Sequence, residues 1–173
     1  MISRLGRMSG VAAAALFVFF VLTGCGYQVV GQGSLPEGIT ALCVEVPENR
    51  SSDVKLAPVL GDYIVARMVS GGVSAGVGCS NGAHLYSEIR SVVTSTVSRN
   101  SAGEGIEERV AISGVFRLSS VDGEVVWRSG VITGDETYSV VPGGDSTPAR
   151  DAALDEAADR LAEALWSAMT QRF

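Results

Sequence analysis

The sequence has little of what enzyme and metal sites need. It contains one histidine, His84, and three cysteines, and no two of the cysteines form a C-x-x-C pair. Zinc sites and thioredoxin-type redox pairs are therefore not predicted. The segment Gly72–Gly76 fits G-x-S-x-G, but no acid lies between Ser74 and His84, where that class of hydrolase places one. We expect no enzymatic activity, no cofactor and no metal.

Basic residues are also few. The chain has 13 Lys and Arg against 19 Asp and Glu, and residues 1–24 carry two arginines and no acid. The remainder therefore holds 11 basic and 19 acidic residues, a net charge of −8. Because such a field repels a phosphodiester backbone, nucleic acid is not expected as a partner.

Only one long apolar run is present, Val11–Leu22, and its dozen or so residues fall short of the roughly 20 that a transmembrane helix needs. Arg4 and Arg7 precede it, and Leu22-Thr23-Gly24-Cys25 closes it. A basic region, an apolar region and small residues before a cysteine are typical of a bacterial lipoprotein signal. We predict cleavage after residue 24, a diacylglyceryl group on the Cys25 thiol and a further acyl chain, such as palmitate, on its amine.

The residue after the cysteine predicts where the lipoprotein goes. Position 26 is Gly, not the Asp that retains lipoproteins at the inner membrane. Several acyl chains give durable attachment. We expect the outer membrane of a Gram-negative cell, with the protein facing the periplasm, residues 25–37 as a lipidated tether and 38–173 as a single α/β sandwich domain.

The periodicity of the apolar residues predicts an α+β fold. Ile39–Val46 alternates as an interior strand, and a stripe from Leu56 to Met68 predicts a helix that ends at Gly71. Three more strands and a helix behind Pro148 follow, while the glycines of 73–82 indicate a turn. We predict about four strands in a mixed sheet with two helices packed on one face, in the order β-α-β-β-β-α.

The faces of the three later strands are predicted from alternation. The residues expected to share the core face, strand by strand, are Leu85, Ile89, Val93 and Val97, then Val110, Ile112, Phe116 and Leu118, then Val125, Trp127 and Val131. The opposite faces carry Arg90, Arg109, Arg117 and Arg128. Two interpretations follow: a solvated face with acidic partners such as Glu88 and Glu124, or a basic stripe that meets phosphate on an anionic lipid.

Two cysteines remain once Cys25 carries lipid. In an oxidising compartment Cys43 and Cys79 can form a disulfide, which would stabilise the fold by roughly 4 kcal/mol on the chain-entropy model. Alternatively Cys43, within a strand, is a small buried hydrophobic residue. The sequence leaves both interpretations open.

Short motifs in the first part of the chain resemble a known family. They are Cys25-Gly26-Tyr27, Gly31, Leu35-Pro36 with Gly38-Ile39, Val44 in its strand, and Glu48-Asn49-Arg50-Ser51 before a helix. Together with the order of elements they are similar to the lipopolysaccharide-assembly lipoprotein family (LptE, formerly RlpB). Pro47 departs from the family pattern, which often has an aromatic residue before the Glu-Asn pair.

The resemblance implies a function without catalysis. Members of that family sit in the lumen of the outer-membrane barrel LptD, plug it, assist its assembly and contact lipopolysaccharide. The resemblance does not indicate which residues contact lipopolysaccharide. Arg90, Arg117 and Arg128 are proposed for this contact from the charge pattern alone. The alternative is a periplasm-facing lipoprotein that binds another envelope protein or ligand.

Overall fold

A computed structural model describes residues 35–171. The predicted signal peptide, the predicted acylation site Cys25 and most of the predicted tether lie outside the described residues. Leu35, at the start of the described chain, is 2% exposed and packs into the core. Leu35, which the sequence assigned to the tether, therefore packs with the domain.

Within residues 35–171, two helices and seven strands follow a short 3-10 helix at Pro36–Gly38. The α+β class is confirmed, but the number of strands is larger than the four predicted. The elements in chain order are β1 (Ala41–Val44), β2 (Glu48–Asn49), α1 (Leu56–Ser70), β3 (Ser74–Val77), β4 (Ala83–Arg99), β5 (Gly105–Ser119), β6 (Val125–Arg128), β7 (Ile132–Ser139) and α2 (Thr147–Thr170).

The strands form one mixed sheet in the order β3-β1-β4-β5-β6, with β2 paired to β4 and β7 paired to β5. β1 runs parallel to β3 and β4, and β5 runs antiparallel to β4, β6 and β7. β1 therefore lies in the interior of the sheet, as its apolar residues on both faces predict.

The extra strands correct two predictions. Ser74–Val77, predicted as part of a turn, is an edge strand because it pairs along the whole of β1, and the Ser74 amide donates to the Thr40 carbonyl at 2.9 Å. The last of the three strands predicted after α1 is longer than expected, and residues 129–131 divide it into β6 and β7. Val131 is consequently 60% exposed instead of facing the core. β6 and β7 occupy the same edge of β5 in succession.

A β-bulge in β4 corrects a third prediction. Leu85 and Ile89 are fully buried, but Val93 and Val97 are 55% and 48% exposed. The pairing with β5 shifts by one residue between Ile89 and Ser91, which reverses the faces of the side chains from Ser91 to Thr96, and Val97 lies at a second shift between Thr96 and Ser98. In β5, by contrast, all four predicted core residues are buried.

Both helices cover one face of the sheet and pack on each other. Leu56, Leu60, Ile64 and Met68 of α1 are buried, as the predicted stripe requires. The predicted stripe of α2 is also buried; it comprises Leu154, Ala157, Ala158, Leu161, Leu165 and Met169. No helix within residues 35–171 is long and apolar enough to span a membrane.

Candidate anion-binding groove

The face of the sheet that the helices leave uncovered carries a groove of about 490 Å³. Strands β4, β5 and β6 supply one side, and the segment between β1 and β2 supplies the other. All three arginines proposed from the charge pattern line this groove. The lining includes Glu45, Glu48, Tyr86, Glu88, Arg90, Val115, Arg117, Arg128 and Ser129. We call it the arginine groove.

The register of three strands places Tyr86, Arg117 and Arg128 in one row. Arg117 is directly opposite Tyr86 on β4 and directly opposite Arg128 on β6. The Arg117 Cζ lies 4.3 Å from the centroid of the Tyr86 ring, a cation–π contact. This contact fixes the Arg117 guanidinium over an aromatic face at the groove.

Arg117 and Arg128 are like charges on directly opposed positions, an arrangement that destabilises a sheet when nothing neutralises it. Within residues 35–171, no carboxylate lies within 4 Å of either guanidinium. A bound anion that contacts both groups would remove the repulsion.

The other two arginines have acidic partners. Arg90 is 3.4 Å from Glu88, and Glu88 also lies 3.4 Å from Arg50. Arg109 pairs with Asp135 at 3.3 Å and does not line the arginine groove. The solvated-face interpretation therefore describes Arg90 and Arg109, whereas the phosphate-binding interpretation fits Arg117 and Arg128.

His84 has an acidic partner that the sequence did not reveal. Its Nδ1 lies 2.7 Å from Glu45 Oε1, and its ring stacks near Tyr86 with 6.3 Å between ring centroids. Because His84 and Glu45 are 39 residues apart, only the parallel pairing of β1 with β4 brings them together. The pair therefore lies beside Tyr86, at one end of the row that Tyr86 forms with Arg117 and Arg128.

The segment Glu48–Ser51 forms a hydrogen-bonded turn before α1. Asn49 Oδ1 accepts from the Ser51 amide at 2.9 Å and from the Ser51 hydroxyl at 2.7 Å, and Asn49 Nδ2 donates to the Asp53 carbonyl at 2.7 Å. Asp53 in turn accepts from Arg150 of α2 at 2.9 Å, and this hydrogen bond raises the pKa of Arg150. These hydrogen bonds thus connect the segment at one side of the arginine groove to helix α2.

The structure also locates the two cysteines and the serine that the sequence analysis considered. Cys43 and Cys79 are joined by a disulfide, with 5.3 Å between their Cα atoms, which links β1 to the loop after β3. Ser74 is the first residue of β3 and does not lie on the strand-to-helix turn that a nucleophilic serine needs. No group of three or more potential metal ligands occurs in the part of the chain that the structure describes.

Neither a family model nor a curated protein sequence matches the chain. Among solved structures, the chain is similar to protein XCC0632 from Xanthomonas campestris, described with the family model DUF330. The TM-score is 0.52 and the identity 17%, over 83% of this chain and 90% of that one. This likeness shows the fold.

Two further similarities are weaker. A single-residue variant of the PelC dodecamer from Paraburkholderia phytofirmans gives a TM-score of 0.49 and 19% identity, over 81% of this chain and 95% of that one. Rare lipoprotein B from Shewanella oneidensis gives a TM-score of 0.45 and 19% identity, over 74% and 95%. The solved structures similar to this chain thus include bacterial lipoproteins.

The arginine groove is suited to binding an anionic group. Guanidinium groups remain charged at any physiological pH and present planar pairs of N–H donors that match phosphate and carboxylate oxygens. Arg117 and Arg128 both line the arginine groove and can each donate to an anionic group there. The stacked Tyr86 ring adds an apolar surface beside the cations.

Proposed function

We propose that the chain is an outer-membrane lipoprotein that acts as a non-enzymatic subunit of the lipopolysaccharide translocon. In this proposal Cys25 carries the lipid anchor, and an LptD-type barrel is the protein partner. Arg117 and Arg128 contact anionic groups of lipopolysaccharide, and Arg90 lies at the end of the same groove. The observation that carries the proposal is the opposed pair of arginines without an acidic partner among the described residues.

The chemistry of the ligand follows from this pair. A phosphate group that bridges two guanidinium groups accepts charge-assisted hydrogen bonds from both and cancels their mutual repulsion. A hydrogen bond to a charged group contributes roughly 1.5–3 kcal/mol. The glucosamine phosphates of lipopolysaccharide present such groups beside apolar acyl chains, which matches the pairing of cations with the Tyr86 ring.

The lipid anchor and the LptD-type partner are proposed from the sequence. A lipobox that ends at Cys25, followed by Gly26, supports an outer-membrane address on the periplasmic side. The LptD-type partner rests on the motifs that resemble the LptE family, among them Glu48-Asn49-Arg50-Ser51. In the structure this motif forms the turn beside the arginine groove, so it belongs to the same region as the proposed lipid contact.

The test measures binding of lipopolysaccharide by the full-length protein in detergent. Arg117→Glu and Arg128→Glu should each weaken binding by roughly tenfold or more, because each loses a charge-assisted hydrogen bond and adds a repulsive carboxylate. Arg109→Glu is the matched control, since Arg109 lies on the same sheet outside the groove. Dephosphorylated lipid A should bind weakly to every variant.

Three results would contradict the lipid contact: unchanged binding in both groove variants, an equal loss in Arg109→Glu, or tight binding of dephosphorylated lipid A. The partner is tested separately by copurification in mild detergent through a C-terminal tag. Recovery of a large outer-membrane β-barrel protein is expected. Recovery of a different envelope protein instead would favour the alternative function.

A further inference from the structure

The chain contains three asparagines, and hydrogen bonds hold the side chains of two of them. Asn49 Oδ1 accepts from the amide and the hydroxyl of Ser51. Asn100 Oδ1 accepts from the Glu104 amide at 3.0 Å, and Asn100 Nδ2 donates to the Glu104 carboxylate at 2.8 Å. Asn81 is exposed, and its side chain forms no hydrogen bond with any residue between 35 and 171. Its carboxamide is therefore free to rotate.

The residue after Asn81 also differs from those after the other two asparagines. It is Gly82, which has no Cβ to obstruct the approach of another group to its nitrogen, whereas Arg50 and Ser101 follow the other two. The Gly82 amide donates no backbone hydrogen bond to a residue that the structure describes. A backbone nitrogen without a hydrogen-bond partner thus lies next to a free carboxamide.

We infer that Asn81 is a site of spontaneous deamidation and isoaspartate formation, with water as the only co-reactant. The Gly82 nitrogen bonds to Cγ of Asn81, and Nδ2 leaves as ammonia together with the proton of the Gly82 amide. Water then opens the cyclic imide at either of its two carbonyl carbons. Opening at Cγ gives aspartate at position 81. Opening at the main-chain carbonyl carbon gives isoaspartate, in which the main chain passes through Cβ and Cγ.

The short loop that holds Asn81 is fixed at both ends. The disulfide of Cys79 joins the loop to β1, and β4 begins directly after Gly82 and pairs with β1. Gly82 itself lies so close to β1 that an added Cβ would be 2.8 Å from the Ala41 carbonyl oxygen. Isoaspartate adds a carbon atom to the main chain between these fixed points, so it should strain the contact with β1. Aspartate at position 81 adds only a charge.

Ageing of the full-length protein in detergent at mildly alkaline pH tests the site, because the attack requires loss of the amide proton. Peptides prepared at acidic pH, where the reaction is slow, are then analysed by chromatography and mass spectrometry. The peptide with Asn81 should convert to two products of equal mass. One of them should accept a methyl group from S-adenosylmethionine in the presence of isoaspartyl methyltransferase. Peptides with Asn49 and Asn100 should keep their mass.

Asn81→Gln is the matched control, because its longer side chain places the carboxamide one carbon further from the Gly82 nitrogen. It should give neither product over the same time. Conversion of Asn49 or Asn100 at the rate of Asn81, an Asn81 peptide of unchanged mass, or aspartate without isoaspartate would each overturn the proposed site. The site is independent of lipopolysaccharide binding, so these results leave the proposed function untouched.

Unfolding of the aged protein tests the predicted strain. The aged unsubstituted protein should unfold at a lower denaturant concentration than aged Asn81→Gln, because only the former carries isoaspartate. Freshly prepared Asn81→Asp should unfold at the same concentration as the fresh unsubstituted protein, since it has the charge without the extra main-chain carbon. Equal midpoints for the two aged proteins, or a loss of stability in fresh Asn81→Asp as large as that caused by ageing, would overturn the strain against β1.

Discussion

Gly134 of β7 lies directly against the backbone of α2 at Ala157. A Cβ added to Gly134 would overlap the Ala157 carbonyl oxygen and the Leu161 amide nitrogen. No flexible side chain is available there to move aside. The alanines of α2 and the glycine of β7 thus allow the helix to approach the sheet closely.

Gly134→Ala should lower the free energy of unfolding by about 2–3 kcal/mol, because the helix must move away from the sheet. Denaturant unfolding measures the change. Gly130→Ala is the control: nothing lies within 4 Å of the added methyl group, and its effect should stay within about 0.5 kcal/mol. Equal unfolding midpoints for Gly134→Ala and the unsubstituted protein would contradict the close packing.

High pH should destabilise the protein through Tyr138. Burial and the hydrogen bond that its hydroxyl donates to Glu108 at 2.7 Å raise the pKa of Tyr138 to about 12. The folded state therefore holds the phenol proton more tightly than the unfolded state, whose pKa is near 10. This contribution is complete below about pH 10 and is lost as the pH rises toward 12.

The measurement is the free energy of unfolding as a function of pH, compared with Tyr138→Phe. The unsubstituted protein should lose more stability between about pH 10 and 12 than the variant, which has no phenol to ionise. Tyr63, whose pKa is also raised to about 12, chiefly by a hydrogen bond to Asp155, remains in both proteins. Parallel curves would show that Tyr138 does not contribute.

The disulfide between Cys43 and Cys79 should stabilise the domain. It closes a loop with a sequence separation of 36, worth about 4 kcal/mol on the chain-entropy model. Replacing both cysteines with alanine should lower the free energy of unfolding by about 2–4 kcal/mol. Reductant should shift the unfolding midpoint of the unsubstituted protein but leave the double variant unchanged. A reductant-insensitive midpoint in both would contradict the bond.

Asn49 should matter for stability although it lies near the surface. Asn49→Ala removes three hydrogen bonds that hold the turn before α1, and we expect a loss of about 1–3 kcal/mol. Asn81→Ala, at an exposed position where the structure shows no side-chain hydrogen bond within residues 35–171, is the comparison and should change the midpoint little. Similar losses in both variants would mean that the Asn49 turn does not stabilise the fold.

Periodicity predicted those parts of the fold in which local pattern and burial agree. The stripe of α1 and the alternation in β5 are examples, because every fourth or second residue meets the same core. The bulge at Arg90 has no local signal and reversed the face of Val93, and Val97 lies at a second bulge between Thr96 and Ser98. β3 is short and contains glycine, and only its pairing with β1 makes it a strand.

The arrangement of side chains in the arginine groove also depends on pairing that the sequence pattern does not contain. The sequence places Arg117 and Arg128 on exposed faces of neighbouring strands, but only the register makes them directly opposed and sets Tyr86 beside them. Whether an arginine has an acidic partner also depends on distant segments, since Arg109 finds Asp135 on β7. Charge pattern alone therefore could not separate the two pairs of arginines.

Photo-cross-linking in living cells tests the central claim most directly. A photoreactive amino acid at Val115, which lines the arginine groove, should form an adduct with lipopolysaccharide, and the adduct should disappear when Arg117 and Arg128 are changed to Glu. The same photoreactive group at Val121, exposed in the β5–β6 turn, should give none. An absent adduct at Val115, or an equal yield at Val121, would contradict the proposed binding of lipopolysaccharide in the groove.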